Sequence, residues 1–136
     1  MNRRRVEAFL VIAAEELDAS RRLQLALPRQ AEYFLQQTAE KLLRAVLEVE
    51  SIGAGVGHGL ADLAHRLPEG HFLRDRFKSF DHLSAASTMY RYPTAGGRVA
   101  SVSAQKVAEE LSSVEALDTE VRGFCRDRLG EAEGAS

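Results

Sequence analysis

Two tyrosines flanking an arginine ahead of a proline, Tyr90-Arg91-Tyr92-Pro93-Thr94, form the segment best suited to holding a ligand. A planar guanidinium stacks on aromatic faces while its N–H groups stay available to a phosphate, and tyrosine rings stack on nucleobases. Pro93 enforces a bend there, because the residue before a proline is pushed out of helical geometry. The plainer reading is that Arg91 closes a helix, where a cation gains roughly 0.3–1 kcal/mol from the helix dipole.

A second polar group lies in Gln36-Gln37-Thr38-Ala39-Glu40-Lys41. Gln37 and Lys41 are four residues apart and share a helical face, as do Gln36 and Glu40. Amides and charges beside a core can bind a ligand, join two subunits, or do no more than support a helix surface.

Other chemistries find less support. His58, His65, His71 and His82 are spaced seven, six and eleven residues apart, so none forms the i, i+4 ligand pair of a helical metal site. We expect no metal and no cofactor. Gly53, Gly55, Gly57 and Gly59 lack the Gly-Lys-Ser/Thr ending of a phosphate loop and read as a flexible turn. No Gly-x-Ser-x-Gly nucleophile turn occurs. The paired carboxylates Glu15-Glu16 and Glu109-Glu110 diverge by about 100° on a helix, too far to share one proton. Cys125 is the single cysteine. It can form no intrachain disulfide, suits a reducing compartment, and reads as a small buried hydrophobe.

These side chains need a scaffold, and apolar spacing supplies five helices. The first covers residues 3–22, with Val6, Phe9, Leu10, Ala13 and Leu17 on one face and Glu7, Glu15, Glu16 and Asp18 on the other. Pro28 suits a first helical turn and opens a second helix over 28–51. Its inner stripe is Ala31, Phe34, Leu35, Thr38, Leu42, Ala45, Val46 and Val49. After the glycines, Leu60, Leu63, Ala64 and Leu67 mark a short third helix over 60–67, stopped by Pro68-Glu69-Gly70. A fourth spans 72–91 with Leu73, Phe77, Phe80, Leu83 and Met89 inward. Ser101 or Ser103 caps a fifth, which runs to Leu129 on Val107, Leu111, Val114, Leu117, Val121 and Phe124. Short links between long amphipathic helices favour an up-and-down bundle. Residues 3–129 make one domain, and residues 130–136 a frayed, acidic tail.

The 136 residues carry a formal charge of −2, which argues against strong nonspecific DNA binding. The charge is uneven. Residues 66–98 hold six basic and three acidic side chains, whereas residues 103–136 hold four and eight. The fourth helix and the loop after it therefore face anions best. Arg3-Arg4-Arg5 before an apolar run imitates a secretion signal, but the run is short and hemmed in by Glu7, Glu15 and Glu16. No window approaches the roughly 20 apolar residues of a membrane span. We expect a soluble, cytoplasmic protein with no membrane partner.

At these residues the chain resembles the HEPN domain family (higher eukaryotes and prokaryotes nucleotide-binding). Phe9-Leu10 with Ala13-Ala14-Glu15-Glu16-Leu17-Asp18 resembles its first helix. Tyr33-Phe34-Leu35-Gln36-Gln37-Thr38-Ala39-Glu40-Lys41-Leu42-Leu43-Arg44-Ala45 resembles its most recognisable stretch. His58-Gly59-Leu60-Ala61-Asp62-Leu63 looks like its His-x-Leu-x-x-Leu turn, and Tyr90-Arg91-Tyr92-Pro93 like its Arg-Tyr-Pro signature. The likeness covers residues 3–128 or so.

The resemblance implies an all-α, up-and-down bundle of four or five helices, assembled as a homodimer. It also implies a minimal nucleotidyltransferase as partner in a two-component, toxin–antitoxin-like system. Many members are metal-independent ribonucleases with an Arg-x(4–6)-His motif near the start of the last helix. Arg91 stands in that arginine's place, yet Tyr92 follows it and no histidine occurs after His82. Arg66 with His71 and Arg76 with His82 match the spacing, but both pairs come early in the chain. The resemblance thus points to a noncatalytic subunit that binds nucleotide or RNA. Arg91, Tyr92 and Arg98 would grip phosphate, with Gln37, Lys41 and His58 supporting the site or an interface. A ribonuclease toxin using Arg91 or Arg76 with His82 is the alternative, and a purely structural helical adaptor is the third reading.

Overall fold

Pro28 begins the helix around which the chain closes. The computed structural model describes residues 1–56 and 59–134, so the expectation placed on His58 lies outside the described residues. The elements are α1 (Arg3–Leu23), α2 (Pro28–Val49), α3 (Leu60–Ala64), α4 (Phe72–Lys78), a 3-10 segment (Asp81–Ala85), α5 (Ala86–Met89) and α6 (Ala104–Gly134). No strand occurs among the described residues. The fold is an all-α bundle.

The direction of each helix follows from its cross-links. Ser20 Oγ donates to Ala31 O near one end of the α1–α2 pair, and Arg5 meets Glu48 near the other, so these helices are antiparallel. Arg21 meets Glu115, Arg122 donates to Leu10 O, and Arg3 reaches Glu133, so α6 also runs against α1. The chain returns between α2 and α6 through α4, the 3-10 segment and α5. His71 faces Glu50 at the C-terminal end of α2, and Arg29 donates to Tyr90 O at its N-terminal end. This is the up-and-down order.

The long helices obey the apolar spacing. Val6, Ala13 and Leu17 of α1 are buried, with Ala31, Leu35, Leu42 and Val46 of α2 and Val107, Val114, Leu117 and Val121 of α6. Each buried Leu or Val side chain contributes about 1.5–3 kcal/mol. Asn2 caps α1 by accepting from Arg5 N, and Ser103 caps α6 by accepting from Lys106 N, each meeting an N–H that has no partner inside its helix. Cys125 is fully buried, and burial pushes its thiol pKa up to about 11, so the sulfur stays protonated and inert.

The fourth stretch is not the single helix that its spacing suggests. Its α-helix stops at Lys78, and the chain tightens into a 3-10 segment before α5. The reason lies in the polar side chains at the break. Asp81 Oδ1 accepts from Ala61 N, and Ser84 Oγ accepts from Leu60 N. The break therefore caps the short α3, whose own preceding residue is a glycine with no side chain to do so. His82 Nδ1 also turns back to Ser79 O. Local side-chain bonds of this kind compete with a continuous helical ladder. Two further departures follow from exposure and length: Met89 is exposed rather than inward, and α6 continues to Gly134 beyond Leu129.

The glycine run is held down rather than loose where it is described. Arg66 Nη1 donates to Gly53 O, and Arg44 Nη1 donates to Gly55 O, each at 3.0 Å.

The end of α2 carries one local strain. Ser51 sits at φ 59°, and Ile52 N closes onto Leu47 O at 2.8 Å, a Schellman closure in which glycine normally takes the left-handed position. We predict that Ser51→Gly raises the stability by about 0.5–1 kcal/mol, read by urea denaturation. A loss instead would mean that the bond from the Met1 amino group to Ser51 Oγ, at 2.8 Å, outweighs the relief.

Candidate functional site

Pro28 fixes the first turn of α2, so Arg29 and Tyr33 project from one face of that turn, four residues apart. Opposite them the chain leaves α5 and bends, with the N–H groups of Arg91 and Tyr92 both held by Thr88 O. Between the two elements lies a cleft of about 480 Å³, lined by Arg29, Gln30, Tyr33, Phe34, Tyr90 and Arg91. That is within the usual range for small-ligand sites, roughly 300–1,000 Å³.

Arg91 is held by rings. Its guanidinium carbon lies 5.2 Å from the Tyr33 ring centre and 5.3 Å from that of Tyr92, both within cation–π reach. Phe34 meets Tyr33 edge-on at 5.4 Å, which fixes the ring that carries the arginine. Arg29 lies beside it and donates to Tyr90 O at 3.5 Å. Neither Arg29 nor Arg91 meets a carboxylate among the described residues, whereas Arg76, Arg122 and Arg128 each do. Arg91 thus lies on an aromatic wall with Arg29 lining the same cleft, and neither guanidinium is neutralised by a carboxylate among the described residues.

The remaining candidates lie elsewhere. Arg98 is exposed in the loop after Pro93, where its backbone closes a turn with Thr94, and it is not part of the cleft lining. Gln37 donates to Gln36 Oε1 and accepts from Lys41, which in turn meets Glu16 of α1 at 3.1 Å. That polar ladder ties α1 to α2. Glu16, placed on the outer face by spacing, is mostly buried there, and desolvation raises its pKa against the opposing effect of Lys41.

Arg76 and His82 each have their own carboxylate. Arg76 pairs with Glu120 at 3.0 Å and stacks over Phe80. His82 Nε2 lies 2.8 Å from Glu110, while Nδ1 faces Ser79 O. Each ring nitrogen of His82 is thus engaged within the chain, by Glu110 on one side and Ser79 O on the other. Arg66 and His71 are likewise apart in role: Arg66 holds Gly53 O, whereas His71 caps α4 through Leu73 N. Among the described residues no three His, Cys, Asp or Glu side chains gather as metal ligands, and no helix is long and apolar enough to cross a membrane.

The family model for the HEPN domain matches residues 6–121, a span that holds most of α1, all of α2 to α5 and more than half of α6. The chain belongs to the HEPN family. Neither the curated proteins nor the solved structures provide a match to it.

Sequence reasoning missed three residues of this HEPN protein that matter to the cleft. Arg29 and Tyr33 are two, and their i, i+4 spacing one residue after Pro28 was the available signal. Glu32 is the third. It is only 3% exposed on α2, one of its carboxylate oxygens has no hydrogen-bond partner, and it lies near Glu110 and Lys106 of α6, His82 of the 3-10 segment and Tyr90 of the cleft. Desolvation first, then the charge of Glu110, raises its pKa to about 7, with Lys106 and His82 opposing. Tyr90 is raised too, by burial and by Glu32.

The Glu32 shift has a definite sign. A carboxyl whose pKa rises from 4.5 in the unfolded chain to about 7 leaves the fold unpenalised below pH 4.5. Its cost grows through that window and is complete above it. Glu32→Gln should therefore stabilise the protein at pH 8 by up to about 3 kcal/mol, with the gain shrinking toward pH 5. Thermal unfolding of both forms across that range checks it; a gain independent of pH would contradict the assignment.

Proposed function

We propose that this HEPN protein is a noncatalytic subunit that binds a nucleotide or an RNA segment in the cleft between α2 and the Tyr90–Arg91 bend. The observation that carries this reading is the pair Arg29 and Arg91, which line one cleft, Arg91 over the Tyr33 ring, and have no carboxylate partner among the described residues. An arginine held by ring faces keeps its planar edge for an anion, and phosphate is the group that such an edge fits in bidentate fashion. Tyr33 and Phe34 offer the aromatic surface on which a base can stack. Arg29 replaces Arg98 as the second phosphate-facing cation, and Gln37 and Lys41 act one to two turns away as a structural seam. Membership of the family supports a minimal nucleotidyltransferase as partner in a toxin–antitoxin-like pair, and a homodimer in the cytoplasm; a nucleotidyltransferase reading frame beside this one would support the pairing directly.

The ribonuclease reading has one observation in its favour: His82 remains half exposed, at 51% of its side chain. Against it stand the two acceptors that occupy both ring nitrogens and the Glu120 carboxylate on Arg76.

Calorimetric titration with ATP and with a short single-stranded RNA tests the proposal. Arg91→Ala and Arg29→Ala should each weaken binding by about tenfold or more, the loss of one charge-assisted contact, while Arg98→Ala changes it little. The wild-type protein should leave total RNA intact in the presence of EDTA. Cleavage that disappears in both His82→Ala and Arg91→Ala would replace the binding reading with the catalytic one.

A further inference from the structure

The outward face of α1 has features that its own chain does not use. Among the charged side chains of α1, Arg3, Arg5, Glu7, Glu16, Asp18, Arg21 and Arg22 all have ion-pair partners. Arg4 and Glu15 are exposed, and neither has an ion pair or hydrogen bond among the described residues. They are opposite in charge and eleven residues apart. On an α-helix that separation is about 16 Å along the axis and about 20° around it, so both lie on the same flank.

Between them the helix is apolar and open. Val11 is 58% exposed and Ile12 40%, and Ala8 is exposed beside them. Arg5, Ala8, Phe9 and Ile12 line a shallow depression of about 170 Å³. Their positions are i, i+3, i+4 and i+7, the four corners of the hole that receives one side chain of a facing helix in knobs-into-holes geometry.

We propose that this face binds the same face of a second copy of the chain, with the two α1 helices antiparallel across a two-fold axis. Antiparallel alignment centred between Ala8 and Ile12 brings Arg4 of one copy opposite Glu15 of the other, twice by symmetry. The same register sets the exposed Val11 and Ile12 over the depression. Parallel alignment would set Arg4 against Arg4, so the charges select the direction as well as the partner. A two-fold interface must be self-complementary, and a flank with one positive and one negative end about a greasy centre satisfies that condition by itself. The cleft at Arg91 is built from α2 and the α5 bend, so it stays outside this interface.

The proposal gives a location to the homodimer put forward above, and its test separates the two. Sedimentation or light scattering at about 50 µM, a concentration at which micromolar interfaces are occupied, should show twice the 15.0 kDa chain mass. Ile12→Asp should give monomers. Arg4→Glu and Glu15→Arg should each weaken self-association by about tenfold, because each substitution places like charges at two points of the interface. The double variant Arg4→Glu with Glu15→Arg should restore the wild-type value. All these positions are exposed, and an unchanged helical circular dichroism spectrum shows that each variant folds. A dimer indifferent to every α1 variant overturns the surface while leaving the homodimer standing. A wild-type monomer overturns both, as does a monomer whose α1 face is covered by a nucleotidyltransferase.

Discussion

Enclosure of α2 is the constraint from which the rest of the structure follows. The helix touches α1, α6, α3, the 3-10 segment and α5, and every one of its residues is buried or half-buried. No residue of this helix is fully exposed, and the strip through Gln30, Tyr33, Gln37, Glu40, Lys41 and Arg44 is half-buried, so its polar groups have little water to meet. Its glutamates, glutamines and lysine must therefore meet partners inside the bundle or carry the cost of desolvation. Lys41 meets Glu16 and Gln37 and is accommodated. Glu32 has an orphaned oxygen and a strongly raised pKa. One helix thus shows both outcomes within three turns.

The same enclosure sets where a ligand can enter. Along most of its length α2 is covered, but its first turn emerges where α5 ends. There Arg29, Tyr33 and Phe34 face the bend at Tyr90 and Arg91. The bend is tied by hydrogen bonds: Thr88 O accepts from two successive N–H groups, and Tyr90 O accepts from Arg29. Arginines with carboxylate partners elsewhere in the chain serve the fold, tying α6 to α1, α2 and α4. The two at the cleft are set against rings and a carbonyl, which leaves their charge for something outside the chain.

Much of this fold was legible in the sequence, and the physical reason is periodicity. α1, α2 and α6 follow single apolar stripes, and a stripe survives any detail of what covers it. The fourth stretch did not yield to the same reasoning. Its apolar residues keep helical spacing, yet Asp81 and Ser84 turn away to cap α3, some twenty residues distant in sequence. Nothing local records that contact. The site was half legible for a similar reason. Arg91 and Tyr92 stand out by composition, whereas Arg29 and Tyr33 gain their meaning from an element sixty residues later. Gln37 and Lys41 looked equally suited to a ligand, and only the position of Glu16 across the α1–α2 seam decides their role. His58 falls outside the described residues.

The central claim is that the open charge of Arg29 and Arg91 makes the mouth of α2 the place where anions bind. Backbone NMR of the uniformly labelled protein, titrated with a nucleoside triphosphate, tests it most directly. The amide shifts should change most at residues 29–34 and 88–92 and hardly at all along the outer face of α1 or the last turns of α6. Shifts confined to the His82 and Arg76 region, or an unchanged spectrum at saturating ligand, would contradict the account.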